Sequence, residues 1–264
     1  MGNMTSAARM PALFMGHGNP MNAIDDTEYA RAWKSLGASL RRPKAVLAIS
    51  AHWYVEGTFV TAMANPKTIH DFGGFPPALF NVRYPAPGDP ELAARIQRLA
   101  SQANVLLDES WGLDHGAWSV LRRLFPDADV PVVQLSLDEA QPPAFHHELG
   151  RKLGVLRDEG VLVLGSGNVV HNLEAYSWGQ RSASPSGWAA RFEQRVRDCV
   201  QARDHQPLIE YESLGNDAAL SVPTPEHYLP LLHVLGTQRP DDAISFPVEG
   251  MDGGSISMLC VRVG

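Results

Sequence analysis

The stretch AVLAISAHW, residues 45–53, is a mostly apolar run followed at once by a histidine. An apolar run of this length without polar alternation is typical of a strand that is covered on both faces. The sequence contains four such runs, of which the second belongs to this stretch: Ala12–Met15, Ala45–Ser50, Val130–Ser136 and Val161–Gly165. Each is bounded by Gly, Pro or Ser, so we expect four buried strands.

Helical patterns lie between and after these runs: Glu91–Ala103, Ala117–Leu124, Ala144–Glu159, Trp188–Ala202 and His227–Leu235. Strands that alternate with helices predict an α/β fold, with a central mostly parallel or mixed sheet flanked by helices on both faces. A last strand, Ser255–Val263, alternates like the edge of a sheet. The 264 residues are within the range of a single α/β domain, so we predict one domain over residues 1–264.

Composition narrows the classes of partner. A hydrophobic content of 44% is enough for a sizeable core, and a net charge of -7 argues against nucleic-acid binding and favours a small molecule. Cys199 and Cys260 are interpreted as buried free thiols. The N-terminal stretch MGNMTSAARMPALFMGHG lacks a signal-peptide core, and no apolar run is long enough to span a membrane, so we expect a cytoplasmic protein.

Three histidines follow closely on predicted buried strands: His17 in FMGHG, His52 in AISAHW and His171 in LVLGSGNVVH. In open α/β sheets, ligands bind beyond the carboxyl ends of the strands, so parallel strands would bring these side chains to one edge. Neutral imidazole is a common ligand of zinc and iron, which makes a shared metal site the first hypothesis. The glycines of Gly165-Ser166-Gly167 predict a close backbone approach to something bound there.

Two further histidines have a carboxylate beside them. His115 in WGLDHGAW follows Asp114, which is interpreted as a helix cap, with orientation of an imidazole as the alternative. His227 in PTPEHYLP opens the predicted late helix and follows Glu226. Two histidines and one carboxylate can form an iron site, and the sequence leaves open whether Glu226 or His227 faces the metal.

The other histidines divide into two groups. Four are interpreted as surface or core residues: His146, His147, His205 and His233. His70 differs because it lies among aromatics and glycines in the long loop Asn65–Pro90, which with the loop Ser177–Gly187 is predicted to form the walls and lid of the site. We therefore expect His70 to contact the substrate or to support the site.

The motifs together resemble those of the bacterial 4,5-DOPA extradiol dioxygenases, within the LigB-type class of ring-opening dioxygenases. They run in order from residue 10 almost to the C-terminus: MPALFMGHGNPMN, AISAHW, TIHDFGGFP, YPAPG, WGLDHGAWSVL, VPVVQLSL, SGNVVHN, PTPEHYLPLL and PVEGMDGGSISML. The sequence has no GxSxG, Walker loop, HExxH or paired CxxC motif, so a nucleophile elbow, a phosphate-binding loop, a zincin and a zinc ribbon all lack their anchors.

The resemblance implies a metal held by His17, His52 and His227, with His171 as a fourth ligand or as the catalytic acid/base. It implies that His115 lies near the substrate, where it is a second candidate acid. Fe(II) is the implied catalytic metal, and Zn(II) can occupy the same position.

The implied substrates are a catechol and dioxygen, with the aromatic ring opened outside its two hydroxyls. DOPA would also need partners for its carboxylate and amine. Arg83 and Asp71 could serve, with solvated loop charges as the alternative interpretation. Two alternatives to the dioxygenase stay open: a zinc-dependent hydrolase or amidase that uses the same histidines, and a metal-binding relative without catalysis.

Overall fold

The computed structural model describes residues 9–264, so residues 1–8 of the N-terminal stretch discussed above lie outside the described part. The strands are β1 (Ala12–Gly16), β2 (Ala45–Val55), β3 (Phe59–Thr61), β4 (Leu106–Asp108), β5 (Val132–Asp138), β6 (Val161–Gly167), β7 (Ile244–Val248), β8 (Met251–Asp252), β9 (Ile256–Ser257) and β10 (Cys260–Val263). The helices are α1 (Glu28–Ser39), α2 (Pro77–Phe80), α3 (Pro90–Leu99), α4 (His115–Leu124), α5 (Pro143–Leu153), α6 (Gly187–Ala202), α7 (Gln206–Ile209), α8 (Asn216–Ser221) and α9 (Leu229–Gly236). Short 3-10 turns cover Pro20–Ala23, Ser101–Ala103, Gly154–Arg157 and Tyr211–Leu214.

Eight strands form one mixed sheet in the order β4-β3-β5-β2-β6-β1-β10-β7, and β8 pairs with β9 in a separate hairpin. The central strands β5, β2, β6 and β1 are parallel to one another. Strand β10 is antiparallel to both β1 and β7, and β3 is antiparallel to β5. The predicted mostly parallel or mixed sheet is therefore confirmed.

Alternate residues of the central strands pack into two different hydrophobic clusters. In β1, Phe14 belongs to the cluster that includes Leu149 of α5, whereas Leu13 belongs to the cluster that includes Trp33 of α1 and Trp118 of α4. Since successive side chains of a strand point to opposite faces, the sheet is covered by helices on both sides. This confirms the predicted α/β class, while the assignment of residues 1–264 to one domain stays a prediction.

The predicted edge strand at Ser255–Val263 is wrong. The segment is divided between β9 and β10, and β10 lies inside the sheet between β1 and β7. The edge on this side of the sheet is β7, where half-buried Ile244 and Phe246 alternate with exposed residues. Because β7 pairs along the outer side of β10, the C-terminal strand is buried.

Two further features bear on the sequence-based expectations. Cys199 and Cys260 are free and buried, as predicted. Within residues 9–264, no helix combines the length and the apolar character needed to cross a membrane. Helix α1, which was not predicted, buries Ala30, Trp33, Leu36 and Gly37, and it packs mainly against α4.

Candidate metal centre

A cavity of about 310 Å³ lies beyond the carboxyl ends of β1, β2 and β6. Its lining contains five histidines, which we call the cavity histidines: His17, His52, His115, His171 and His227. The parallel pairing of the three strands accounts for the convergence, because each strand delivers its end to the same edge. The structure thus brings together all five histidines that the sequence placed in the site.

Strand β2 does not end at Ser50 as expected but continues to Val55. Its pairing with β5 shifts in register, since Ile49 lies opposite Leu135 whereas Tyr54 lies opposite Leu137. The extra residues of β2 form an irregularity of the kind that re-aims side chains beside active sites. His52 lies inside this irregular segment, which turns its ring into the cavity.

The Gly165-Ser166-Gly167 segment is the end of β6, and it is approached by the protein's own chain. A Cβ at Gly167 would lie 2.1 Å from the carbonyl oxygen of His227, and that oxygen accepts a hydrogen bond of 2.8 Å from Asn168 N. Close backbone approach was expected here, but to a bound molecule. Gly167 instead allows the His227 turn to pack on β6, and α9 begins only at Leu229, after that turn.

The protonation of the His17 ring is fixed by Ser166. The Ser166 hydroxyl donates to the Gly116 carbonyl at 2.6 Å, so its single proton is used. His17 Nδ1, 3.0 Å from the same hydroxyl oxygen, must therefore be the donor of their hydrogen bond. A neutral His17 consequently has an unprotonated Nε2, which is the form that binds a metal.

Asp71 organises two of the rings. One carboxylate oxygen accepts from the backbone N–H of His115 at 2.9 Å, and the other lies 2.8 Å from His115 Nδ1 and 3.4 Å from His52 Nδ1. The two histidines and the backbone N–H hold the pKa of Asp71 below its usual value in spite of its burial. An ionised carboxylate at this position favours a proton on each Nδ1, which leaves Nε2 of a neutral His52 unprotonated.

Asp114 has a different role, as its predicted capping function implies. It is fully buried at the N-cap of α4, where it accepts from Ala117 N at 3.1 Å and from Ser50 Oγ at 2.7 Å. Burial raises its pKa. The cap fixes the start of α4, and His115 is the first residue of that helix.

Glu226 lies behind His227, outside the cavity lining. Its Oε1 lies 3.1 Å from His227 Nδ1 and accepts from Thr224 Oγ1 at 2.8 Å. Of these two residues, His227 therefore faces the cavity, whereas Glu226 lies within hydrogen-bond distance of His227 Nδ1. The rings of His171 and His227 stack face to face, with centres 3.5 Å apart and planes within 4°.

The arrangement meets the chemical requirements of a metal site. His17 Nε2 and His52 Nε2 lie 3.3 Å apart, and on the arguments above both carry lone pairs. Nitrogens at this separation suit two ligands of one ion at metal–nitrogen distances of about 2.0–2.1 Å. Burial lowers the pKa of His52 to about 3 and that of His171 to about 4, and those of His17 and His227 are also well below normal. All four imidazoles are therefore neutral at neutral pH.

Two sets of possible donor atoms each fall within 4.8 Å: His17, His52 and His115, and His171, Glu226 and His227. The ring centres suggest a different grouping. The distances are 5.1 Å for His17–His52, 5.3 Å for His17–His227 and 5.2 Å for His52–His227. These three rings thus form a nearly equilateral triangle around the cavity floor.

His70, which was expected to contact substrate, does not line this cavity. Its Nε2 lies 3.0 Å from the Val82 carbonyl oxygen, and its ring packs against Phe72, Phe80 and Trp118. Arg83 donates to the Phe80 and Val82 carbonyls and is also outside the lining. Both predicted loops do reach the cavity.

The loop Asn65–Pro90 contributes Phe72 and Phe75 to the lining, and the loop Ser177–Gly187 contributes Trp178. Asp71 is the functional residue that sequence reasoning missed, since it was considered only as a substrate contact or a solvated charge. Its side chain is 18% exposed. The available signal was an acid next to His70 in a loop already predicted to form a wall.

An α/β sheet whose parallel central strands deliver five histidines to one cavity, four of them neutral, defines a metal-dependent enzyme of the α/β class. Residues 11–248 match the family described as the catalytic LigB subunit of aromatic ring-opening dioxygenase. The chain belongs to this family. It is accordingly an aromatic ring-opening dioxygenase that acts with dioxygen on a small aromatic molecule, and its chemistry depends on a metal.

Two similar proteins share one name, and a solved structure shares the fold. The chain is 51% identical to "4,5-DOPA dioxygenase extradiol" of Escherichia coli (strain K12), covering 98% of this chain and 96% of that protein. It is 37% identical to the protein of the same name from Beta vulgaris, over 92% of each chain. A crystal structure of an uncharacterized protein from Escherichia coli K12 matches with a TM-score of 0.85 at 48% identity, covering 97% of this chain and 100% of that one.

Proposed function

We propose that the chain cleaves DOPA or a related catechol at the extradiol 4,5 position, with Fe(II) bound among the cavity histidines. The observation that carries the proposal is the pair of unprotonated nitrogens, His17 Nε2 and His52 Nε2, that face each other at 3.3 Å in a cavity walled by aromatic residues. The names of the similar proteins support the choice of substrate.

His17, His52 and His227 are the proposed metal ligands. The equal spacing of their rings supports this set over the one that includes His115. His115 has its ring centre 3.8 Å from that of His52, and Asp71 accepts from both its backbone and its Nδ1. His115 is therefore proposed to lie beside a ligand ring and to act as an acid toward the substrate.

Bound Fe(II) would supply the redox chemistry that dioxygen requires, whereas zinc, which has none, would give a form inactive in dioxygenation. His171 is proposed to act as the acid/base, with a role as fourth ligand as the alternative. With its pKa lowered to about 4 by burial, the imidazole is neutral and can accept the proton of a catechol hydroxyl. Once protonated, the same ring can return that proton later in the reaction.

The aromatic wall is proposed to hold the ring of the substrate and to exclude water. Phe72 meets Phe75 edge to face at 5.4 Å and meets His115 at 5.3 Å, which places apolar surface directly beside a proposed acid. Trp178 is 72% exposed and lines the cavity, so a substrate ring could cover it on binding. Aromatic side chains favour offset or edge-to-face contacts with such a ring.

The test is anaerobic reconstitution with Fe(II), followed by oxygen uptake and visible absorbance with DOPA and with simple catechols. We expect one dioxygen consumed per catechol and a new absorbance from the ring-opened product. The zinc-loaded enzyme should consume no oxygen. Failure of the iron-loaded enzyme to consume oxygen with any catechol, at full metal occupancy, would overturn the proposal.

A further inference from the structure

A second cavity, of about 420 Å³, lies next to the His227 turn and is separate from the cavity histidines, none of which lines it. Pro225 and Leu229, on either side of His227 in sequence, form part of its wall. Tyr54, two residues after His52 on β2, forms another part. Its volume is in the range of small-molecule sites.

The charged side chains that line this cavity are all acidic. Glu139 and Glu212 line it, and among residues 9–264 no lysine, arginine or histidine does. An occupant with a positive charge is therefore favoured.

Tyr211 supplies an independent sign that a ligand fits. Its side chain lines the cavity and is only 5% exposed, and its hydroxyl, which has no hydrogen-bond partner within the described residues, is open to the cavity. A ligand atom can therefore form a hydrogen bond with this hydroxyl without breaking one inside the protein. Burial raises the pKa of this phenol to about 12, which keeps its proton in place.

The remaining wall is apolar. Pro143, Val222 and Leu229 face the same space as the rings of Tyr54 and Tyr211. Aromatic faces attract organic cations, and apolar walls bind their hydrocarbon part. We propose that this cavity binds an organic ammonium ion, with Glu139 and Glu212 around the charge and the Tyr211 hydroxyl as a hydrogen-bond partner.

Titration calorimetry of the metal-loaded enzyme with 2-phenylethylammonium tests this proposal, and backbone-amide NMR shifts locate the bound ion. We expect shifts near Glu139 and Tyr211. The Glu139→Gln/Glu212→Gln double variant should bind about tenfold more weakly, and Tyr211→Phe about fivefold, as loss of one hydrogen bond implies. The control is Glu91→Gln/Glu109→Gln, which removes the same charge from exposed positions outside the cavity and should bind normally.

The matched anion 3-phenylpropionate has the same apolar body and should bind at least about tenfold more weakly than the ammonium ion. Equal binding of the two ions, unchanged affinity in the double glutamate variant, or shifts confined to Phe72 and Trp178 would each overturn the proposal. The readout is binding, without turnover. It therefore does not depend on whether the ring-cleavage proposal is correct.

Discussion

The molecule contains two groups of buried or half-buried histidines that differ in how their ring nitrogens are used. In the cavity histidines, the outer nitrogens face Ser166, Asp71 and Glu226, and inner nitrogens such as His17 Nε2 and His52 Nε2 face each other without a proton. The second group, here called the paired histidines, consists of His146, His147, His205 and His233.

The paired histidines bind one another. His146 Nδ1 lies 3.1 Å from His233 Nε2, and His147 Nε2 lies 3.0 Å from His205 Nδ1, whose ring continues to Gln238. Among residues 9–264, no third donor joins either pair within the distance expected of a metal site. Burial lowers the pKa of His171 in the first group and those of His146 and His147 in the second, so burial does not distinguish a metal site from a structural one. The two kinds of site are distinguished by the direction in which the unprotonated ring nitrogens point.

The largest expected effect is loss of a proposed ligand. His17→Ala or His52→Ala should remove most bound metal and lower kcat/KM by about 10³-fold or more, because a metal stabilises charge by several kcal/mol. His147→Ala, taken from the paired histidines, should retain both metal and turnover. Metal analysis after Fe(II) loading and oxygen-uptake kinetics measure the two quantities. Equal metal loss in the two groups would contradict the assignment of the metal site to the cavity histidines.

Next in size is His171→Ala. If His171 is the acid/base, kcat should fall about 10²-fold, the low end of such a contribution, while metal content is kept. Metal loss in this variant would instead identify His171 as a ligand. Near-normal turnover of the iron-loaded variant would exclude both roles.

The sequence predicted the parallel centre of the fold because strands covered on both faces appear as continuous apolar runs. It did not predict α1, which packs mainly against α4, a helix distant from it in the sequence. It also did not predict β3 and β4, which have three residues each. Short segments at the periphery are specified by pairing partners that are distant in the chain.

The residues of the site likewise divide into those that the sequence pattern predicted and those that it did not. Strand ends pointed to His17, His52 and His171, whereas the resemblance supplied His227 and the role of His115. Asp71 could not be assigned from spacing, since it lies in a segment without regular structure and the residue that it contacts, His115, is 44 positions away in the sequence. The choice between Glu226 and His227 depended on the backbone approach that Gly167 permits.

A smaller effect should follow from loss of a group that orients a ligand. Ser166→Ala leaves His17 in place but removes the acceptor that fixes its proton on Nδ1. We expect metal affinity to fall by about 10-fold to 100-fold, the usual range for such partners. Ser119→Ala, at a buried serine of α4 outside the cavity lining, is the matched control. Competition with a chelator measures affinity, and equal losses in the two variants would contradict the orienting role.

The smallest effect concerns the paired histidines and the dependence of stability on pH. Burial lowers the pKa of His146 to about 4, so between pH 6.5 and about 4 this histidine binds a proton in the unfolded chain but not in the folded one. The free energy of unfolding should therefore decrease as the pH falls through this window, by at most about 1.4 kcal/mol per pH unit for one such group. His146→Gln removes the group, so the difference in slope between this variant and the natural sequence isolates its contribution. Urea unfolding at intervals of pH measures both slopes, and a variant slope as steep as that of the natural sequence would show that His146 protonates in the folded state.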